Sequence, residues 1–320
     1  MKKITLVNLW PLPEVLKEKI RAAVAGKYEV IDIYDNPSDE QLAGCEIVFG
    51  NAKPDIIAKM PVLKWVHAQT AGVDIYLGST PRLSDDILLT NSTGAYGVPI
   101  AEHMLTYTLM LLRHSHEYIA QQQEKKWGFI GKTGPTLYGR RVTVVGMGDI
   151  GGRYAELCHA MGANVCGVVR SPRTQAPLYV DRLYTTAQID EALQDADIVA
   201  LALPGTGETV GILSHERLCN MKKGALIVNV GRGTAIDQDA LIKQLQNGHL
   251  GGAALDVTTP EPLPQDSPLW ELPNVLITPH VSHGGRDNTN EVIVDKFLRY
   301  FNDYIAGREF ERLVNRDIGY

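Results

Sequence analysis

Four cysteines in 320 residues are too few and too scattered for a disulfide framework. Cys45, Cys158, Cys166 and Cys219 also lack metal-ligand spacing and stand mostly in apolar surroundings, which reads as reduced core thiols of a cytoplasmic protein without a bound metal. Lysine and arginine form no long cluster. The 31 basic residues face 37 acidic ones and leave a net charge of −6, so neither nucleic acid nor an anionic membrane surface is an expected partner. No apolar run approaches the roughly 20 residues that span a bilayer. The longest, Met104 to Leu112, is interrupted by Thr106, Tyr107 and Thr108 and closed by Arg113. The opening MKKITLVNLW is too short and too broken for a signal peptide and reads as a strand. Internal repeats and low-complexity segments are missing too. What is present is ordinary globular composition, 44% hydrophobic and 21% charged, enough for two domains acting on a small molecule.

Short β-branched runs alternate with segments of helical composition such as 13–25 and 38–43. A first series of strands is expected at 4–9, 28–34, 46–50, 65–68 and 88–91. A second follows Leu137-Tyr-Gly-Arg-Arg, at 142–145, 165–169, 198–201, 226–229, 252–255 and 275–278, each short and apolar as in strands buried on both faces. The expected class is α/β, with two Rossmann-like doubly wound parallel-sheet domains. Between the series, Pro99 to Arg113 reads as a helix apolar on most sides, buried in its own core, between domains or against a second subunit. A polar arm, 114–126, and Trp127-Gly-Phe129 would extend that contact.

The first chemical motif is Val142-Thr-Val-Val-Gly146-Met-Gly148-Asp149-Ile150-Gly151. G-x-G-x-x-G alone is a weak signal, but here it follows a strand and opens a helix, the setting its mechanism requires. Gly146 permits a tight turn, Gly148 lets the backbone approach a pyrophosphate, and Gly151 lets helix and strand pack closely. The helix N-terminus then supplies N–H donors and positive dipole.

One further absence bears on the cofactor. About twenty residues beyond the glycines, where an acid would bind the ribose 2′-hydroxyl of NAD(H), the sequence reads GVVRSPR. Arg170 cannot accept those hydrogen bonds. Together with Ser171 and Arg173 it suits a 2′-phosphate, which favours NADP(H), with NAD(H) bound without an acid as the alternative.

Three later strand ends carry acid–base chemistry. Arg232 stands between Gly231 and Gly233, Glu261 between Pro260 and Pro262, and His280 just past the strand ending at Thr278, with His283 three residues on. Taken singly, these read equally as a salt-bridge arginine, a solvated loop acid and a surface histidine. Together, beside a dinucleotide turn, they form a coherent set.

The chain resembles the D-isomer-specific 2-hydroxyacid dehydrogenases. The resemblance is carried, in family order, by Ala101-Glu-His-Met-Leu, Val144-Val-Gly-Met-Gly-Asp-Ile-Gly151, Leu203-Pro-Gly-Thr-Gly-Glu-Thr209, Val228-Asn-Val-Gly-Arg-Gly233, Ala254-Leu-Asp-Val257, Glu261-Pro-Leu-Pro264 and Thr278-Pro-His280. It implies a flavodoxin-like substrate domain from 1–98 and 287–320, and an inserted dinucleotide-binding domain, 99–286. It implies His280 as general acid–base, Glu261 as its carboxylate partner, and Arg232 as the group that binds the substrate carboxylate and polarises the 2-keto oxygen. The N–H groups of Ala71 and Gly72, in Thr70-Ala-Gly-Val-Asp74, would hold the carboxylate as well. Cofactor binding falls to Gly146, Gly148, Asp149, Ile150, Gly151, Leu203, Pro204, Thr209, Val230 and Asp256, the last on the nicotinamide carboxamide, with Arg170, Ser171 and Arg173 at the ribose. His103 and Asp74 are read as structural. Trp10, Ala52, Tyr96 and Trp270 are candidate pocket residues.

The arginines at 170 and 173 are most similar to those of NADPH-dependent glyoxylate/hydroxypyruvate reductases. They imply reduction of a small 2-keto acid, glyoxylate, hydroxypyruvate or pyruvate-like, to the D-2-hydroxy acid, while the reduced cysteines and the apolar helix with its arm lead to the expectation of a cytoplasmic homodimer. A phosphite-type dehydrogenase would keep the same three residues. Co-repressor-like relatives that sense NAD(H) use the same fold, but this chain shows neither a long disordered extension nor a basic patch. Formate dehydrogenases carry an amide where Glu261 stands, and that activity is disfavoured.

Overall fold

The computed structural model describes residues 2–7, 11–77, 83–131, 133–284, 286–317 and 319. The chain divides into two compact units, Met1–Tyr96 with Gly285–Tyr320, and Gly97–Gly284.

The first unit holds five parallel strands, β1 (Lys2–Val7), β2 (Tyr28–Asp32), β3 (Cys45–Gly50), β4 (Trp65–Ala68) and β5 (Leu88–Asn91). Their order, β2-β1-β3-β4-β5, is the flavodoxin-like one. Every residue of β3 and β4 is buried, which explains why both read as unbroken apolar runs. Strand β2 stops at Asp32 instead of reaching Tyr34. The Asp32 carboxylate accepts from the Tyr34 N–H at 3.0 Å and opens a 3-10 turn, Ile33–Asp35, so local capping overrides β-propensity there.

The helix Arg286–Ile305 joins this unit through rings and hydroxyls. Phe297 stacks on Phe49 with centroids 4.4 Å apart, and Tyr304 and Tyr28 each donate a hydroxyl to the buried Glu46 at 2.8 Å.

The second unit holds seven parallel strands, β6 (Arg141–Val145), β7 (Asn164–Val169), β8 (Arg182–Thr185), β9 (Ile198–Leu201), β10 (Leu226–Asn229), β11 (Gly252–Leu255) and β12 (Val275–Ile277). The order β12-β11-β10-β9-β6-β7-β8 is a doubly wound sheet whose switch point falls between β6 and β9, where ligands of such folds sit. Six strands were expected here. The seventh, β8, has the sequence RLYT with Arg182 exposed and Leu183 half-buried, so this edge strand lacks the apolar run that marks the others.

The helix Gly97–Leu112 buries Ile100, Met104, Tyr107, Thr108 and Leu111 and packs on the helix Asp149–Ala160, where the Thr108 and Tyr154 hydroxyls meet at 2.7 Å. Leu105, Leu109 and Met110 stay half-buried. The segment read as a polar arm is a helix, Ser115–Gln123, entered through His114 at φ 54°. Beyond it Trp127 and Phe129 are exposed. All four cysteines are free thiols, and Cys219 is half-buried where the other three are buried. Among the described residues no helix is long and apolar enough to cross a membrane, and no cluster of three His, Cys, Asp or Glu residues is arranged to hold a metal.

Candidate active site

The loops at the C-terminal ends of β6, β7, β9, β10, β11 and β12 carry the candidate residues of the second unit. After β6 the chain turns at Gly146, φ 98°, and Gly148 caps the helix Asp149–Ala160. The three glycines do different work. A Cβ on Gly151 would fall inside the carbonyl oxygen of Gly146, so helix and turn approach as closely as they do only without one. A Cβ on Gly148 would meet nothing within 4 Å. The helix N-terminus thus opens onto space beside N–H groups, a seat that fits a dinucleotide pyrophosphate. The side chain of Asp149 is turned away to this unit's other long helix, where it leaves no room for a side chain on Gly97, and it pairs with Arg153 at 3.4 Å. Ile150 is half-buried in the same turn.

At the end of β7, Arg170, Ser171 and Arg173 are exposed. Both arginines have partners that the sequence did not disclose. Arg170 Nη2 donates to Glu208 Oε1 at 2.8 Å, and Arg173 Nη2 donates to the carbonyl of Met147, between the turn glycines, at 2.7 Å. Glu208 belongs to the loop after β9. There the Thr209 hydroxyl accepts from the Thr206 N–H at 3.0 Å and donates to the Pro204 carbonyl at 2.7 Å. Thr209, expected on the cofactor, therefore braces its own turn. The neighbouring Leu203 backbone abuts Gly231, where a Cβ would stand 2.7 Å from Leu203 N and O, and Val230 is buried.

Arg232 follows β10 in a narrow slot. Gly231 lies against Leu203 on one side, and on the other Gly233 lies so close to the Thr258 carbonyl that a side chain is sterically barred. Buried Asn229 braces the loop: its Oδ1 accepts from the Gly231 N–H and its Nδ2 donates to the Arg232 carbonyl, both at 3.0 Å. The guanidinium is half-buried and donates to the Gly231 carbonyl at 2.8 Å.

Glu261 and His280 meet, with Nδ1 2.9 Å from Oε2, and the other carboxylate oxygen accepts from the Thr258 N–H at 3.1 Å. His280 takes a left-handed backbone, φ 53°, which is unfavourable for a non-glycine residue. Asp256 helps hold it there. Its carboxylate accepts from Thr278 Oγ1 at 2.5 Å and from the Val281 and Ser282 N–H groups at 2.9 and 3.0 Å, while its carbonyl accepts from the His280 N–H at 2.8 Å. Burial raises the Asp256 pKa, but these hydrogen bonds outweigh it and hold the carboxyl below its usual range. Asp256 was expected on the nicotinamide, yet here it is buried and engaged with the histidine loop. His103 lies 3.4 Å from the Thr278 hydroxyl and packs on Tyr107, and burial keeps its pKa low.

In the first unit the carbonyls of Ala71 and Gly72 accept from Asn91 Nδ2 at 2.7 Å and Thr70 Oγ1 at 2.5 Å, so the polar groups the turn still offers are its N–H groups. Of the pocket candidates, Ala52 and Tyr96 are buried, Trp270 donates its indole N–H to the Pro264 carbonyl, and Trp10 lies outside the described residues.

Residues 105–282 match the family model for the D-isomer specific 2-hydroxyacid dehydrogenase, NAD binding domain. Glyoxylate/hydroxypyruvate reductase B of Escherichia fergusonii is 31% identical over 271 residues, 81% of this chain and 82% of that protein. D-3-phosphoglycerate dehydrogenase of Bacillus subtilis is 33% identical over 227 residues, 71% of this chain, which spans only 42% of that protein's length. The solved NADPH-dependent glyoxylate/hydroxypyruvate reductase of Sinorhizobium meliloti, in complex with NADP and sulfate, matches with a TM-score of 0.85 and 28% identity over 100% of both chains. The family model and the reductases it groups with make the chain an NAD(P)-dependent oxidoreductase. The chain belongs to the D-isomer-specific 2-hydroxyacid dehydrogenase family, as its motifs implied.

Proposed function

We propose that the protein reduces a small 2-keto acid, of the glyoxylate, hydroxypyruvate or pyruvate type, to the D-2-hydroxy acid with NADPH. The observation that carries this reading is the 2.9 Å contact between His280 Nδ1 and Glu261 Oε2 at a strand end of the dinucleotide-binding unit. Bound NADPH supplies the hydride that arrives at C2. Glu261 holds Nδ1–H, which orients the ring and leaves Nε2 to give its proton to the carbonyl oxygen as that oxygen gains charge. Arg232 offers donors to the substrate carboxylate and to the same oxygen. In the first unit, Ala71 and Gly72 offer N–H groups of the kind a carboxylate accepts. Gly146, Gly148, Ile150, Gly151 and the Asp149 N–H would hold the pyrophosphate, Leu203, Pro204, Thr209 and Val230 would line the cofactor's path, and Asp256, which braces the histidine loop, would meet the nicotinamide carboxamide. Arg170, with Ser171 and Arg173, supports NADPH over NADH, and the reductases of Escherichia fergusonii and Sinorhizobium meliloti support the substrate class.

We place the chain in a homodimer, supported by the exposed Trp127 and Phe129 and the half-buried Leu105, Leu109 and Met110, and in the cytoplasm, supported by its four free thiols. Light scattering on the purified protein checks the dimer.

Steady-state rates with glyoxylate, hydroxypyruvate, pyruvate and bulkier 2-keto acids, each with NADPH and NADH, test the proposal. Turnover is expected to be fastest with a small acid and NADPH. His280→Ala should lose about 10²- to 10⁴-fold in kcat. Cofactor binding without turnover of any acid would point to a sensor, and turnover confined to phosphite with NADP+ would point to that dehydrogenase.

A further inference from the structure

We propose that Glu208 is a cofactor-specificity residue, forming with Arg170 a two-sided reader of the adenosine 2′ position in which the arginine takes a 2′-phosphate and the glutamate a 2′-hydroxyl. The inference rests on the reading above that places Arg170 beside the adenosine ribose.

The acid that this fold usually carries at the end of its second strand is replaced by Arg170, just past β7. A carboxylate nevertheless reaches the same point. Glu208 comes from 38 residues further on, and its Oε1 lies 2.8 Å from Arg170 Nη2. The turn that delivers it is braced by the Thr209 hydroxyl on Thr206 N–H and Pro204 O, and by the Gly211 N–H on the Thr234 carbonyl at 2.8 Å. Arg173 meanwhile ties the β7 loop to the glycine turn through Met147. Opposite charges are therefore presented at one place by two independently anchored loops.

The chemistry of each state follows. A 2′-phosphate, nearly doubly charged, is held by the Arg170 guanidinium and repelled by Glu208, and it must open the ion pair. A 2′-hydroxyl donates to the Glu208 carboxylate and leaves the pair closed. Both side chains are well exposed, at 42% and 65%, so opening the pair lowers affinity by about fivefold at most. Glu208 thus narrows the discrimination that Arg170 alone would give, and the protein uses both cofactors with a modest preference for NADP(H).

Isothermal titration of NADP+ and of NAD+ into the wild type, Glu208→Gln and Arg170→Ala, at low and high salt, tests this by binding alone. Glu208→Gln should tighten NADP+ about two- to fivefold and weaken NAD+ by a similar factor, with the NADP+ effect shrinking at high salt. Arg170→Ala should weaken NADP+ at least tenfold. Thermal melts of both variants should match the wild type, because neither side chain is buried. If the wild type prefers NADP+, Arg170→Ala weakens it, and Glu208→Gln moves neither cofactor or moves both the same way, the proposal falls and the Arg170 reading stands. If Arg170→Ala leaves NADP+ binding unchanged, the underlying reading has failed and the proposal goes with it.

Discussion

The side-chain amide of Gln238 grips the backbone of Thr259 on both sides: Nε2 donates to its carbonyl at 2.7 Å and Oε1 accepts from its N–H at 2.9 Å. Gln238 opens the helix Gln238–Gln246, whose start is fixed by the Asp237 cap on the Ala240 N–H. Thr259 stands two residues before Glu261, so a rigid helix end positions the loop that carries the histidine's partner. If Glu261 and His280 act as proposed, Gln238→Ala is expected to lower kcat roughly tenfold, since small displacements of an acid–base pair are costly, while the Kd for cofactor stays at the wild-type value. Gln238→Glu keeps the acceptor and loses the donor, and should fall between. Equal kcat in all three proteins would show that Thr258 alone suffices to hold Glu261.

Arg232 is placed by its neighbours' lack of side chains. With Leu203 against Gly231 and Thr258 against Gly233, the loop has almost no freedom, and the Asn229 amide removes what is left. Arg232→Lys keeps charge but not the planar fork, so KM for the keto acid should rise and kcat fall together, about 10²-fold or more in kcat/KM. A rise confined to the KM for NADPH would move Arg232 to the cofactor site.

Much of this architecture is legible in the residues because buried parallel strands advertise themselves. The runs at 65–68, 88–91, 198–201, 226–229 and 252–255 are strands at those bounds, and each has at most one position that is not fully buried. Misreadings arise where local polar chemistry competes, as at Asp32, or where an edge strand has little to bury, as at Arg182–Thr185. At the site, glycines and the Arg, Glu and His residues stand out because chemistry demands their types. Their supports do not. Gln238 looks like any residue of a helix start, and Glu208, though inside the motif Leu203–Thr209, gives no sign there of a partner 38 residues away. Nor does the sequence disclose that Asp256, read there as a nicotinamide residue, also braces the His280 loop through its hydrogen bonds.

The first unit should be acid-sensitive for a specific reason. His67 is fully buried beside Phe49, Trp65, Phe297 and Tyr300, with Nδ1 2.7 Å from Thr90 Oγ1, and burial, aided by the charge of Lys296, pushes its pKa down to about 3. An unfolded histidine titrates near 6.5, so between those values the unfolded chain holds a proton that the folded chain does not. Stability from this group is therefore full above pH 6.5 and is lost as pH falls, by at most about 1.4 kcal/mol per unit. Between pH 6.5 and 5 most carboxylates remain ionised, and His103, whose pKa burial also lowers, adds a contribution of the same sign that the comparison of variant with wild type cancels. Urea midpoints at those two pH values should draw together in His67→Gln relative to the wild type. An unchanged separation would mean that His67 is not the acid-sensitive group.

The glycine turn allows binding and folding to be separated. A methyl on Gly151 collides with the Gly146 carbonyl and comes within 3.1 Å of Val144, so Gly151→Ala must push the helix off the turn. The loss should appear in both stability and cofactor affinity, and it should exceed the gain of about 0.5–1 kcal/mol that alanine brings to a helix. On Gly148 the same methyl meets no protein atom, and the backbone there, φ −83° and ψ −154°, is open to alanine. Gly148→Ala should therefore melt with the wild type yet bind NADP+ and NAD+ at least tenfold more weakly, because the methyl occupies the space a pyrophosphate needs. Wild-type affinity in Gly148→Ala would mean that the open face of this helix is not where the phosphates sit.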